Sequence, residues 1–220
     1  MDNKNNPYDF KYALDHKKED PENHWQFQEI LKLHTPLHNE KILEIGSNTG
    51  EFCYLLKKKF KVDPIGIDIN SSAVSIAKDS YPDLNFHKQD LYNIKESYDI
   101  IYMQHVIEHI KNPVDALKKL KNNLNDDGKV ILSCPNKWAY PTKLVCWIQK
   151  RRFCYDLTHY HEFSPKSLIK IVNKAGYKHT KLLTKPLAIP LLFRISTRIY
   201  YSFPSYLFGE FIFLKIEKNR

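Results

Sequence analysis

Lys41-Ile42-Leu43-Glu44-Ile45-Gly46-Ser47-Asn48-Thr49-Gly50 is the stretch that decides the fold. A short apolar run ends in a turn bounded by two glycines, and the helical pattern Glu51-Phe52-Cys53-Tyr54-Leu55-Leu56 follows. Strand, tight loop and helix in that order bring backbone amides and a helix N-terminus close to a ligand. Glu44 sits near the end of the strand. A carboxylate there suits a cationic ligand better than a pyrophosphate.

Outward from this stretch the chain alternates. Apolar, β-branched runs predict strands at 41–45, 64–68, 84–87, 98–103 and 129–134. Helical patterns at 50–60, 71–80 and 113–124 lie between most of them. Asn112 is the expected N-cap of the last of these, with Pro113 at its first position. Such alternation predicts a parallel sheet covered on both faces. A helix at 164–175 stopped by Gly176, a strand at 177–183 and a last strand at 211–216 complete the pattern. An earlier helix, 21–34, is broken by Pro36 before the first strand. Residues 1–39 thus read as an arm and helix forming a lid, and 40–220 as the main domain. An acceptor-side insertion is expected at about 137–163, and an aromatic and basic segment at 186–208.

The 220 residues suffice for one domain with a full core, and the formal charge of +9 favours anionic partners without choosing among them. Cys53, Cys134, Cys146 and Cys154 show no Cys-x-x-Cys spacing, so neither a zinc knuckle nor a redox pair is indicated. A polar N-terminus and the lack of a long apolar run predict a cytoplasmic chain.

In an open α/β sheet, ligands bind beyond the carboxyl ends of the strands. The residues at those ends are Gly46–Gly50, Asp68, Gln89-Asp90-Leu91, Gln104-His105-Val106-Ile107-Glu108-His109 and Pro135-Asn136. Asp68 falls about twenty residues past the glycine loop, where an acid can take both ribose hydroxyls. Asp90 is placed to receive an adenine amino group. Asn48 and Glu51 stand where a dinucleotide loop has its second and third glycines, so the pattern describes an adenosine-containing ligand without a pyrophosphate cradle.

Glu44-Ile45-Gly46-Ser47-Asn48-Thr49-Gly50 resembles the first motif of class I S-adenosylmethionine (SAM)-dependent methyltransferases, of the ubiquinone-type and small-molecule O-methyltransferase kind. The likeness runs on through Ile65-Gly66-Ile67-Asp68, Gln89-Asp90-Leu91, Tyr98–Ile101, His105–Ile110, Asn112-Pro113, Asp127–Ser133 and Pro135-Asn136, over roughly residues 40–183. Asn48, in place of the middle glycine, is the main departure. The resemblance implies a Rossmann-like, seven-stranded, mostly parallel sheet with helices on both faces and an antiparallel last strand. It implies that Glu44, Gly46, Ser47, Asn48 and Gly50 border the methionine moiety and that Asp68 holds the ribose. Ile69, Asp90 and Leu91 would then frame the adenine, and Gln104 would lie near the sulfonium.

His105-Val106-Ile107-Glu108-His109 has three readings. It matches the His-x-x-Glu-His of inverted zinc peptidases. It resembles the Glu-x-x-Glu-His that binds a divalent metal in ubiquinone-type and small-RNA 2′-O-methyltransferases, with His105 for the first Glu. It also resembles the metal-free Glu-His wall of many class I methyltransferases. The wall is favoured, the metal comes second, and the peptidase last because the motif follows a buried strand. Thr158-His159-Tyr160-His161 adds two histidines before a helix, with His159 expected beside the acceptor. Lys150-Arg151-Arg152 is the densest basic patch, either solvated or holding an acidic group of the acceptor.

The expected activity is methyl transfer from SAM to an oxygen of a small-molecule or glycan-type acceptor, with His105 or His109 as base. An RNA 2′-O-methyltransferase, an enzyme working at a membrane surface through 187–208, and a catalytically silent SAM-fold partner-binding subunit are the alternatives. A homodimer is a further expectation for the aromatic segment.

Overall fold

The computed structural model describes residues 10–15, 17–140, 143–144, 147, 158–185 and 208–219. Seven strands form one mixed sheet in the order β3-β2-β1-β4-β5-β7-β6. They are β1 (Ile42–Ile45), β2 (Ile65–Asp68), β3 (Asn85–Lys88), β4 (Tyr98–Gln104), β5 (Leu124–Pro135), β6 (Tyr177–Lys185) and β7 (Phe211–Lys218). The helices are α1 (Phe10–Asp15), α2 (Trp25–Leu33), α3 (Glu51–Phe60), α4 (Ser71–Ser80), α5 (Pro113–Asn122) and α6 (Pro165–Lys174). The chain divides into two compact units, Met1–Met103 with Asn122–Val130, and Gln104–Lys121 with Ile131–Arg220.

In the first unit β1 pairs in parallel with both β2 and β4, and β2 pairs in parallel with β3. Every side chain of β1 is buried, as a central parallel strand requires. The core gathers Ile42, Leu43, Phe52, Leu55, Leu56, Ile67, Ile100 and Tyr102. Phe52 lies 5.0 Å from Phe27 of α2 and 5.0 Å from Tyr102 of β4, the latter edge-on. Tyr102 meets its polar need by donating to the carbonyl of His34 at 3.3 Å. β3 buries only Phe86, which fills the space that side chains at Gly50 and Gly66 would take. A Cβ on Gly66 would come within 2.5 Å of that ring.

In the second unit β6 and β7 are antiparallel, with a register shift between His179 and Lys181. β7 carries buried Ile212, Phe213, Leu214 and Ile216, whereas the middle of β6 is exposed. Leu117, Leu120, Leu168 and Val172 bring α5 and α6 into this core. Tyr177 is fully buried and donates to the carbonyl of Leu117 at 3.0 Å. α6 starts with the reciprocal capping box of Ser164 and Ser167 and with Pro165 in its first turn.

Several boundaries differ from the sequence expectation: α2 begins at Trp25 rather than 21, and β6 and β7 run on to Lys185 and Lys218. α5 ends at Asn122 and β5 begins at Leu124, where a helix to 124 and a strand from 129 were expected. This segment is tied to the start of β4: Tyr98 N donates to Asn123 O at 2.9 Å, and the Asn125 side-chain Nδ2 donates to Asp99 Oδ1 at 2.6 Å. Polar residues 125–127 are thereby held in strand although their side chains are exposed. Within the N-terminal arm, α1 is a helix that turns Ala13 fully inward. Among the described residues, no helix is long and apolar enough to cross a membrane.

Candidate functional site

Ile45 passes into Gly46 at φ 73°, Asn48 at φ 45° and Gly50 at φ 90°. The left-handed conformation is costly for most residues but accessible to glycine and tolerated by asparagine. Asn48 therefore occupies the middle position because it, too, accepts that backbone. Gly46 N and Ser47 N both donate to the carbonyl of Ile67, at 2.8 and 3.0 Å, tying the loop to β2. Gly50 caps α3.

Asp68 organises the loop. Its Oδ2 accepts the Asn48 amide at 2.9 Å and its Oδ1 the Asn70 amide at 2.8 Å. Burial pushes its carboxyl above the usual range, opposed by those backbone donors. Each carboxylate oxygen can accept more than one hydrogen bond, so capacity remains for hydroxyl donors. Asn70 in turn caps α4, accepting from the amides of Ser72 and Ala73. Gln89 N donates to Asp68 O at 3.0 Å, which ties the end of β3 to the same edge. There Asp90 is exposed and accepts from Tyr92 N at 2.9 Å, while Leu91 is buried. Ile69 is 54% exposed despite its size, as an apolar residue awaiting a planar partner would be.

Glu44 is 3% exposed and accepts from the Cys53 thiol at 3.0 Å. Burial first, then the charges of Glu51 and Asp68, push it up to about 8, against the Cys53 hydrogen bond. Glu51, at the start of α3, is likewise raised by burial and accepts from Thr49 Oγ1 at 2.6 Å. Three acidic side chains thus act on one another around a loop whose Ser47 hydroxyl is buried with no hydrogen-bond partner. A ligand with an ammonium and a sulfonium fits this place, since its charge would relieve the mutual repulsion and its polar atoms would engage Ser47. Sequence reading found Glu44 and Asp68 but missed Glu51 and Thr49. A Thr-x-Glu at a helix start is a visible signal, but its burial is not. The arm was expected but its contact with the loop was not: Ala13 O accepts from the Asn48 side chain at 3.4 Å.

In the second unit, Gln104 ends β4, one residue after Met103, the register partner of Ile45. His105 follows at φ 53°, a strained conformation for this side chain, held by a bond from its amide to Ser133 O at 2.9 Å. Residues Ile107–His109 form a 3-10 turn rather than an α-helix, so the two histidines do not share a helical face as the zinc-peptidase reading requires. His105 Nδ1 lies 3.4 Å from Glu108 Oε1, and its ring meets Phe211 edge-on at 5.1 Å. His109 Nδ1 faces Thr158 O at 3.3 Å and Thr158 Oγ1 at 3.0 Å. Its ring lies 4.7 Å from that of His159. Tyr160 N and His161 N both donate to Glu108 O, which clamps this segment to the turn. His161 turns its own ring to Lys111 O, so His159, and not His161, joins the cluster. Cys134 is fully buried, and its thiol is pushed up by burial and by the Glu108 charge. Residues 150–152, and 186–207 of the aromatic segment, lie outside the described residues.

A parallel sheet whose first two strands end in a glycine loop and an acid defines a nucleoside-binding α/β enzyme class. The chain belongs to the methyltransferase-domain family, whose profile matches residues 18–182. It is similar to the trans-aconitate 2-methyltransferase of Escherichia coli, 25% identical over 127 residues that cover 54% of this chain and 50% of that protein. It is also similar to the tRNA U34 carboxymethyltransferase of Nautilia profundicola, 28% identical over 156 residues, 56% of this chain and 51% of that protein. The chain spans about half the length of these curated relatives. Among solved structures, it matches a chain of the complex between the Haloferax volcanii Trm112 methyltransferase activator and a methyltransferase. The TM-score is 0.72 at 13% identity, covering 96% of this chain and 95% of that one. Magnesium protoporphyrin IX methyltransferase of Synechocystis with bound S-adenosylhomocysteine gives 0.64 at 15% identity, covering 96% and 93%. At these identities the likeness to solved structures is one of fold. The domain is a class I, SAM-dependent methyltransferase domain.

Proposed function

We propose that this protein transfers a methyl group from SAM to an oxygen of a small-molecule or glycan-type acceptor. The observation that carries the choice of oxygen is the histidine cluster after β4, because a hydroxyl nucleophile must lose its proton. SAM supplies an electrophilic methyl on sulfur: the acceptor oxygen takes the methyl, and the carbon–sulfur bond breaks with its electron pair left on sulfur. The protein's part is placement and proton handling. Glu44, Gly46, Ser47, Asn48 and Gly50 would border the methionine part and Asp68 would accept from the ribose. Ile69, Asp90 and Leu91 would frame the adenine, and Gln104 would lie near the sulfur. His105, His109 and His159 are the candidates for taking the acceptor's proton, and His105 is preferred because it directly follows the strand end. The trans-aconitate relative supports a small anionic acceptor, for which the charge of +9 is apt.

A second reading has one observation behind it: the tRNA U34 carboxymethyltransferase relative, together with the same charge. RNA binding would weaken steeply with salt. A screen of small acids, glycans and RNA with radiolabelled methyl donor tests both. Label in an ether or ester of a small acceptor is the expected result. Label confined to RNA, or none despite SAM binding, would overturn the proposal.

A further inference from the structure

We propose that the outer face of α6, with the adjoining ends of α5 and β6, binds the phosphate backbone of a nucleic acid. The two compact units differ in charge: the second carries 20 lysines and arginines against 6 aspartates and glutamates, the first 14 against 19. Between Glu162 and Glu210 the sequence holds eight basic residues and no acid. Such one-sided charge marks a partner that is itself a polyanion. Both α6 and β6 lie in this stretch.

On α6, Leu168 and Val172 are buried while Lys166, Lys170 and Lys174 are exposed. Four-residue spacing sets these lysines in a row, with about 6 Å of rise per step. Together with Asn173 and the half-buried Ile169 they line a groove of about 740 Å³. Lys121 of α5 extends the row, since a Cβ on Gly176, just past α6, would meet its Nζ at 2.7 Å. Exposed Lys178 follows at the start of β6.

Other lysine-bearing helices of the molecule are answered by acids. Lys57 and Lys58 of α3 pair with Asp63 and Glu22, and Lys118 of α5 with Asp115. Among the described residues no acid pairs with Lys166, Lys170 or Lys174, and α6 itself contains none. The arrangement works against the helix: like charges four residues apart repel, and Lys166 stands in the first turn, where the helix dipole disfavours a cation. Lys174 suits the last turn and Lys178 guards an edge strand, but neither use accounts for Lys166 or Lys170.

The chemistry of the face selects its occupant. A helix that lies in a membrane surface inserts large apolar side chains, and no large apolar side chain of α6 or β6 is exposed. The same lack leaves no platform for bases to stack on, so the contact is with the backbone and independent of sequence. Lysines and a side-chain amide such as that of Asn173 are groups that engage phosphate and sugar. The proposal concerns binding and holds whichever acceptor takes the methyl group, so its test is separate from the label screen.

The test follows the anisotropy of a fluorescent RNA hairpin titrated with the full chain, in salt from about 50 to 200 mM. Wild-type affinity should fall steeply with salt. The triple variant Lys166→Gln, Lys170→Gln, Lys174→Gln should bind roughly tenfold more weakly at low salt, and its slope of log K against log salt should be shallower by about 2 to 3. Arginine at the same three positions should keep both affinity and slope. Lys57→Gln with Lys58→Gln, which removes two answered lysines, should leave the slope unchanged. Circular dichroism checks folding, and the arginine variant covers the case in which the glutamine variant does not fold. No hairpin binding by the wild type at low salt, a wild-type slope retained in the glutamine variant, affinity lost in the arginine variant, or flotation with anionic vesicles in place of hairpin binding would overturn the proposal.

Discussion

The loop after β1, in the first unit, and the turn after β4, in the second, each follow the end of a strand, yet they are built in opposite ways. The first is tied down: amides of Gly46, Ser47, Asn48 and Gly50 all have acceptors, and its backbone strain falls on two glycines and an asparagine. The second places its strain on a histidine and buries a glutamate with no hydrogen bond. A loop whose amides at 46, 47, 48 and 50 are all answered is pre-organised for a ligand that it grips largely by charge and shape. A turn with a buried carboxylate whose nearest described cationic group is His105 Nδ1, at 3.4 Å, is held less completely by its own bonds. The first unit therefore carries a half that is rigid in the sense of its answered amides, and the second a half that stores strain.

The largest expected effect breaks the rigid half. Gly50→Val forces a β-branched residue into φ 90°, with its Cβ about the Phe86 ring at 2.6 Å. The combined strain and overpacking should cost about 3 kcal/mol in urea unfolding. A loss below about 1 kcal/mol would mean the loop is looser than described. Next, Asp68→Ala removes the acceptor of two backbone amides along with the expected ribose contact. SAM affinity by calorimetry should fall by roughly 100-fold, since hydrogen bonds to a charged group contribute about 1.5–3 kcal/mol each.

His105→Gly probes the other half. Glycine relieves the positive φ while adding chain entropy to the unfolded state, so stability should stay within about 1 kcal/mol. Turnover should drop by roughly 100-fold, the lower range for loss of a general base. Full turnover would remove His105 from the chemistry.

The last prediction concerns pH. Glu44 is raised to about 8, so the folded state binds a proton that the unfolded state has already lost above about pH 4.5. Stability of the ligand-free protein should therefore be greatest in acid, as far as this group is concerned, and fall as pH rises from about 4.5 to about 8. Glu44→Gln should flatten that slope in thermal unfolding. SAM, as a cation, should favour the ionised carboxylate and bind more tightly across the same window. A wild-type slope of opposite sign that Glu44→Gln abolishes would contradict the assignment.

The rigid half was legible because its determinants are local. Gly46, Gly50 and Asp68 lie within a strand-loop-helix-strand run whose periodicity and punctuation can be read directly. Asn48 was legible as a departure, and its φ explains why it is tolerated. The other half was half-legible. His105, Glu108, His109 and His159 stood out as residue types, but the partners of His109 are Thr158 and His159, about fifty residues away. The start of β5 was missed for the same reason: the bonds that Asn123 and Asn125 make to Tyr98 and Asp99 of β4 leave no mark on the local pattern. Glu51 and Thr49 hid as an ordinary helix start, because burial of a polar pair leaves no mark on periodicity.

The central claim is that one adenosine sulfonium binds at the loop organised by Asp68. Calorimetric titration of SAM into the wild-type chain and into folded Asp68→Ala tests it most directly. The account predicts one site per chain in the wild type and little heat in the variant. Equal binding in both, or none in the wild type, would contradict it.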